Sequence, residues 1–142
     1  MSPMPKRTKP EGRNVKAPVR KLLDGHGWFW WFPPANAYGQ STVDIMAFRT
    51  GVLIAIETKW HNRELTANQR AFLNSVRAEN GFGFVVREGE PGSKYDVHGV
   101  AWLKDFLHAF DNARDAAMRK VQVDPGDGAS MLNAIKALTE EL

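Results

Sequence analysis

The spacing of apolar residues changes along the chain between a period of two and a period near 3.6, which predicts a small α/β domain. Short apolar runs with β-branched or aromatic residues predict strands, and longer amphipathic stretches predict helices. The predicted strands cover residues 28–32, 43–48, 52–59 and 82–86. The predicted helices cover residues 15–24, 67–79, 100–120 and 131–142.

Residue types that are preferred at helix N-termini mark the starts of two of the predicted helices. Asn14 is the expected N-cap of the first helix, with Pro18 in its first turn. Thr66 and Gln69 have the spacing of a capping box, which predicts a helix start at Ala67. The chain therefore divides into three predicted parts. They are a basic disordered arm over 1–13, a folded domain over 14–120, and a linker with an amphipathic helix over 121–142.

The strand at 52–59 ends in two charged residues, although its apolar run predicts burial. Alternation places Glu57 and Lys59 on one face of this strand, whereas Ile54, Ile56 and Thr58 point to the other face, toward a core covered by helices. If Thr50-Gly51 forms a hairpin turn, Asp44 falls beside Glu57 on the neighbouring strand. Two carboxylates and a lysine would then converge at one end of a small sheet.

Such a convergence has two explanations. Carboxylate oxygens are the ligands that Mg²⁺ prefers, and a nearby lysine can orient or deprotonate an attacking water. The alternative is a strand-end ion pair between Glu57 and Lys59, with Asp44 serving only turn formation. The residues alone leave both explanations open.

Composition narrows the class of protein. The chain has no cysteine, which excludes disulfides and thiolate zinc sites and suits a cytoplasmic protein. Its apolar runs are far shorter than the roughly 18 residues of a membrane helix, and the N-terminus has no apolar secretory segment. The four histidines have no paired metal-ligand spacing, so the sequence predicts no histidine-rich metal site. They are His26, His61, His98 and His108.

Positive charge is concentrated near the N-terminus, where residues 1–21 contain seven basic side chains and one acid, Glu11. A basic arm on a mildly acidic body suits a polyanionic partner contacted through its phosphates. A solvated tail that keeps the protein soluble explains the same charge equally well. The basic residues are Lys6, Arg7, Lys9, Arg13, Lys16, Arg20 and Lys21.

The order of these motifs resembles that of a known family. Asp44, the Glu57-x-Lys59 pair, a T-x-x-Q helix start and the strand sequence GFGFVV follow one another as in the PD-(D/E)xK nuclease superfamily. Over residues 11–110 the chain looks most like the VRR-NUC branch, the virus-type replication-repair nucleases, in its small stand-alone phage and bacterial form. This resemblance implies a restriction-endonuclease-like α/β core, with a small mixed sheet flanked by helices and a C-terminal helical extension.

The resemblance also implies roles for individual residues. Asp44 and Glu57 would bind Mg²⁺ or Mn²⁺, Lys59 would assist the attacking water, and Gln69 would support the site from the following helix. Glu11 would join the metal ligands from the first helix. Gln69 has a second sufficient explanation, since it is also the capping-box partner of Thr66. The candidate DNA-contacting residues lie in the arm, in the loop before Asp44 and directly after Lys59. They are Lys6, Arg7, Lys9, Arg13, Tyr38, Gln40, Trp60, His61 and Arg63.

By this resemblance the expected activity is that of a metal-dependent, structure-specific DNA endonuclease in a bacterial or phage-infected cell. Branched DNA such as the four-way (Holliday) junction is the leading expected substrate. The alternatives are a nicking or processing nuclease acting on flapped, linear or single-stranded nucleic acid, and a nucleic-acid-binding module with an inactive site.

A symmetric junction has two strands to cut, and one domain offers one site, so we expect a homodimer. Two apolar surfaces are candidates for the interface. One is the aromatic run 28–32, whose side chains could instead stack on exposed bases or fill the core. The other is the helix 131–142, with Leu132, Ile135 and Leu138 in register.

Overall fold

A four-stranded mixed sheet with helices on both faces forms the body of the protein, so the predicted α/β fold class is confirmed. A computed structural model describes residues 9–34, 43–123 and 135–136, without the side chains of 120–123. The helical elements are a π-helical turn Gly12–Lys16, α1 Ala17–Gly25, α2 Ala67–Ala78 and α3 Gly99–Val123. The strands are β1 Phe29–Trp31, β2 Ile45–Arg49, β3 Val52–Trp60 and β4 Phe82–Glu88.

The sheet has the order β1-β2-β3-β4, in which the first three strands are antiparallel and β4 is parallel to β3. Thr50 and Gly51 both have positive φ, which a two-residue hairpin turn between β2 and β3 requires. The parallel pair needs a crossover connection, and α2 provides it. Ile45 pairs with Ile56, so Asp44 lies beside Glu57 as the sequence predicts.

Each face of the sheet packs against different helices, which gives two apolar clusters. On one face Ile54 and Ile56 pack with the π-helical turn, α1 and α3. On the other face Ala55 and Leu53 pack with Leu73 and Val76 of α2. The predicted alternation of β3 is thus confirmed, and both faces of this strand are buried. The side chains that α1 and α3 add to the first cluster include Val19, Leu23, Leu103, Phe106, Leu107 and Phe110.

The first helix differs from the prediction at its start. Pro10 and Glu11 are already helical, so Asn14 lies inside the helix and is not its N-cap. The π-helical turn is closed by a bond from the Ala17 N–H to the Gly12 carbonyl, five residues earlier. This wider turn lets the helix continue into Pro18, which has no N–H of its own to donate. Residues 10–13 therefore belong to the folded domain, and the predicted arm is wrong there.

The C-terminal region packs partly on the same domain. Helix α3 runs to Val123, three residues beyond its predicted end. Ile135 is fully buried in the cluster formed with α1 and α3, and the Lys136 Nζ donates to the Asn80 Oδ1 at 2.8 Å. Leu132 and Leu138 lie outside the described residues. The described part of the last predicted helix thus contacts its own domain. Across the described ranges, no helix combines the length and the hydropathy that a membrane crossing requires.

Candidate metal centre

Asp44 is held against the end of β3 by several hydrogen bonds. Its backbone N–H donates to Glu57 Oε2 at 3.1 Å. Its Oδ2 accepts from the Thr58 N–H at 2.9 Å and lies 2.7 Å from Thr58 Oγ1. These contacts fix the orientation of the carboxylate, because the backbone N–H and the hydroxyl of Thr58 in β3 both lie against its Oδ2.

Glu11 brings a third carboxylate to this place. Its Oε1 lies 3.1 Å from the Thr58 hydroxyl, which also contacts Asp44. One carboxylate oxygen each from Glu11, Asp44 and Glu57 lies within 4.8 Å of the other two. The structure therefore brings together the three acids predicted to bind metal.

Thr58 was not predicted as a site residue. Alternation correctly placed its side chain on the face away from Glu57 and Lys59, where it is fully buried. The Asp44 carboxylate nevertheless contacts Thr58, whose side chain lies on the face of β3 opposite Glu57 and Lys59. No local pattern indicates this contact, because Asp44 precedes β2 and its side chain does not follow the alternation of the strands.

The acids repel one another, and Glu57 is only 2% exposed. Burial, and then the neighbouring Asp44 charge, raise the pKa of Glu57 to about 8, although Lys59 offsets part of the rise. In the absence of a bound cation the Glu57 carboxyl therefore holds a proton at neutral pH. A divalent cation would remove this repulsion and displace that proton.

Two lysines lie against the carboxylates. Lys59 Nζ is 3.4 Å from Glu57 Oε1, and its side chain is largely buried. Lys16 Nζ is 3.2 Å from Asp44 Oδ1, and its side chain is half exposed. Lys16 was predicted only as part of the basic segment. It follows Glu11 by five residues, and the i→i+5 bonding of the π-helical turn brings residues at this spacing near each other.

Gln69 connects α2 to Glu57. Its Nε2 donates to Glu57 Oε1 at 2.9 Å, and its Oε1 accepts from the Thr66 N–H at 3.0 Å. The Gln69 N–H in turn donates to Thr66 Oγ1, which completes the predicted capping box. One buried side chain thus starts the helix and also fixes the orientation of the Glu57 carboxylate.

The donor set fits a hard divalent cation. All three groups offer carboxylate oxygens, which Mg²⁺ and Mn²⁺ prefer over nitrogen or sulfur. Neighbouring ligands of an octahedral Mg²⁺ are about 3 Å apart, at bond lengths of about 2.1 Å. Oxygens within 4.8 Å of one another would therefore have to move closer together to share one ion.

A cleft adjoins the carboxylates on the side of Glu11. Lys9, Trp60 and Arg63 line it together with Pro10 and Glu11, and its volume is about 350 Å³. A neighbouring cleft of about 410 Å³ shares Trp60 and Pro10 with it and is lined also by Arg13. Four predicted DNA-contacting residues therefore lie at surfaces next to the candidate metal centre.

Of the other five predicted DNA-contacting residues, the structure describes only His61. His61 accepts the Glu90 N–H on Nε2, and its ring stacks on Tyr95, so its described contacts hold the loop after β4. Lys6, Arg7, Tyr38 and Gln40 lie outside the described residues. No protein-family model matches the chain, and no curated protein matches it significantly.

Proposed function

We propose that this protein is a divalent-metal-dependent endonuclease that hydrolyses phosphodiester bonds in DNA. The convergence of Glu11, Asp44 and Glu57 within 4.8 Å, with Lys59 against Glu57, is the observation that carries the proposal. Carboxylates crowded around a buried one repel each other unless a cation is bound, so the convergence of three acids from separate parts of the chain supports a metal-binding role over a structural one.

The three carboxylates would hold Mg²⁺ or Mn²⁺. When bound, such an ion lowers the pKa of a coordinated water and polarises the scissile phosphate. Hydrogen bonds from neighbouring residues orient these carboxylates: Gln69 donates to Glu57, and Thr58 donates to Asp44. Such outer contacts position metal ligands in many proteins.

Lys59 is the residue best placed to act on the attacking water. Its ammonium carries three donors and lies 3.4 Å from Glu57 Oε1, where little solvent competes for it. From that position it can orient the water toward the phosphate and offset the charge that develops on the phosphate oxygens. Lys16 adds a second positive charge beside Asp44.

The cleft next to Glu11 supports a nucleic-acid substrate. Lys9 and Arg63 supply positive charge for phosphate oxygens, and Trp60 supplies an apolar surface between the two clefts. The basic residues Lys6 and Arg7 precede this surface in the chain and would extend the phosphate contacts.

Branched DNA, especially the four-way junction, is the proposed substrate class, and it rests on the resemblance to stand-alone VRR-NUC nucleases. Symmetric cleavage of a junction needs two active sites, so the proposal includes a homodimer. A processing nuclease acting on flapped, linear or single-stranded nucleic acid is the alternative, and it would need only one site.

The test is cleavage of labelled four-way, flap, linear duplex and single-stranded DNA in Mg²⁺, Mn²⁺ or EDTA. Asp44→Ala and Glu57→Ala should each lower the rate by at least about a hundredfold and leave DNA binding largely intact. Asp105→Ala is the matched control, because it removes an exposed carboxylate of α3. We expect the control to cleave as wild type does.

Each outcome has a defined meaning. If Glu57→Ala cleaves as fast as wild type, the nuclease assignment is wrong. If wild type binds DNA and cleaves no substrate in either metal, the protein is a binding module. Equal cleavage of linear and branched DNA favours the processing nuclease.

A further inference from the structure

We propose a second metal site, separate from the carboxylate centre, formed by His26, His108 and Asp111. Each of these residues offers one ligand atom, and the three atoms lie within 4.8 Å of one another. No sequence motif indicates this site, because 82 residues separate the two histidines. The packing of α1 against α3 brings them together.

The contacts already resemble those around a bound ion. His26 Nδ1 lies 2.6 Å from Asp111 Oδ2, and the imidazole rings of His26 and His108 meet edge to face with centroids 4.9 Å apart. A nitrogen and an oxygen on one tetrahedral Zn²⁺ are about 3.3 Å apart, at bond lengths of about 2 Å. The His26 and Asp111 ligand atoms would therefore have to separate by less than 1 Å to share the ion.

Rigid elements position all three side chains. His108 and Asp111 are three residues apart in α3 and therefore project from the same side of the helix. His26 directly follows α1, and its backbone N–H is bonded to the Leu22 carbonyl at 3.0 Å. The His26 ring is mostly buried, whereas His108 is exposed, so an ion can enter from solvent.

Arg49 holds the outer oxygen of the carboxylate. Its NH1 donates to Asp111 Oδ1 at 3.0 Å, which leaves Oδ2 facing His26. Ligating carboxylates are commonly oriented by such a donor. The guanidinium charge also opposes the ion, so we expect micromolar rather than nanomolar affinity.

A second mixed cluster, formed by Glu88, Asp96 and His98, is a weaker candidate. Glu88 Oε1 accepts the Val100 N–H at 2.8 Å and thereby caps α3. Asp96 Oδ2 accepts the Gly92 N–H, and the His98 side chain is 74% exposed. These groups serve local structure, and His98 would lose much side-chain freedom on binding.

The ligand chemistry identifies the kind of ion. Two imidazole nitrogens and one carboxylate suit Zn²⁺, Ni²⁺, Co²⁺ or Cu²⁺, whereas Mg²⁺ prefers an all-oxygen set. The site lies roughly 20 Å from Glu11 along the first helix, at about 1.5 Å per residue. The ion would link the end of α1 to α3 and so stabilise the fold, and it would take no part in the carboxylate centre.

The test uses Zn²⁺ and full-length Glu57→Ala protein, in which the carboxylate centre has lost a ligand. Competition with a chromophoric chelator should show one Zn²⁺ per chain. Adding His108→Ala should weaken binding at least about tenfold, the scale of a lost metal ligand. Adding His98→Ala should leave the affinity unchanged. His108 is exposed, so its replacement should not prevent folding.

Thermal denaturation gives an independent measurement. Zn²⁺ should raise the unfolding midpoint of the Glu57→Ala protein by several degrees, and His108→Ala should abolish the rise. Equal Zn²⁺ affinity with and without His108 would overturn the proposal, as would the absence of stoichiometric binding. No DNA is present in either measurement, so failure of the nuclease proposal would leave this result unaffected.

Discussion

Gln69 donates a hydrogen bond of 2.9 Å to the Glu57 carboxylate while its own oxygen accepts the Thr66 N–H at 3.0 Å. The side chain that completes the capping box of α2 is therefore also the neighbour of a proposed metal ligand. Both explanations that the sequence offered for Gln69 agree with its contacts. The first turn of α2 and the end of β3 are consequently tied to each other.

Removing Gln69 should impair catalysis more than the loss of the cap explains. Gln69→Ala loses both contacts, and we expect cleavage to fall about 10- to 100-fold. Thr66→Ala is the control, because it weakens the cap by about 1 kcal/mol and leaves the bond to Glu57 in place. Rates and unfolding midpoints are measured for both. Equal loss of activity in the two variants would reduce Gln69 to a capping residue.

The metal-free protein should lose stability as the pH rises. The pKa of Glu57 is about 8 in the folded chain against 4.5 for the free group, so between these values the native state binds a proton that the unfolded state does not. The free energy of unfolding should then fall by roughly 1 kcal/mol per pH unit from about pH 5 to pH 8. Urea denaturation in EDTA measures the slope.

Glu57→Gln provides the control for that slope. The amide cannot ionise, so the variant should show a flatter dependence and greater stability than wild type at pH 8 in EDTA. Mg²⁺ should stabilise wild type more at pH 8 than at pH 6, because the ligands must be deprotonated to bind it. Wild-type stability that rises with pH over this range would contradict the protonated state of Glu57.

Lys16 should compete with the divalent ion for Asp44. Its ammonium lies 3.2 Å from Asp44 Oδ1, and a half-exposed ion pair is worth up to about 1 kcal/mol. Lys16→Ala should therefore tighten Mn²⁺ binding up to about fivefold in a paramagnetic titration. Lys21→Ala removes an exposed charge from α1 and should have little effect. Weaker Mn²⁺ binding in Lys16→Ala would mean that the lysine helps to assemble the centre.

Deleting residues 1–8 tests the part of the basic segment that precedes the described residues. The deletion removes Lys6 and Arg7 and keeps Lys9, Glu11 and Arg13, so the carboxylate centre is retained. If both removed side chains contact phosphates, the slope of log affinity against log salt should decrease by about 2. The loss should be the same for different DNA sequences. An unchanged slope would assign the segment a solubilising role.

The exposed aromatic side chains on β1 and β2 are the surface we expect in a homodimer. Phe29 pairs with Phe48 in register, and Trp31 lies on the same face. Phe29 is 70% and Phe48 46% exposed. Phe29→Ser with Phe48→Ser should give a monomer in light scattering. Val97→Ser, which removes an equally exposed apolar side chain elsewhere, should not. A wild-type mass of 15.9 kDa without DNA, together with one chain per complex on junction DNA, would contradict the dimer.

The sequence by itself determined the half of the site that lies on β2, β3 and α2. The turn at Thr50-Gly51 sets the register that places Asp44 beside Glu57, and strand alternation places Glu57 and Lys59 on one face. The capping box sets the start of α2, and so the position of Gln69. These features depend on residues close together in the chain, where turn geometry and periodicity act.

Only the tertiary structure decided the rest. Glu11 and Lys16 reach Thr58 and Asp44 because the first helix contains a π-helical turn and starts before Asn14, its predicted N-cap. Ile135 is buried in the core of its own domain, and His26 meets Asp111, because α1, α3 and the C-terminal segment pack together. Such contacts join residues far apart in the chain. They form when helices and strands pack to bury apolar surface, and no short-range sequence pattern indicates which of these elements will meet.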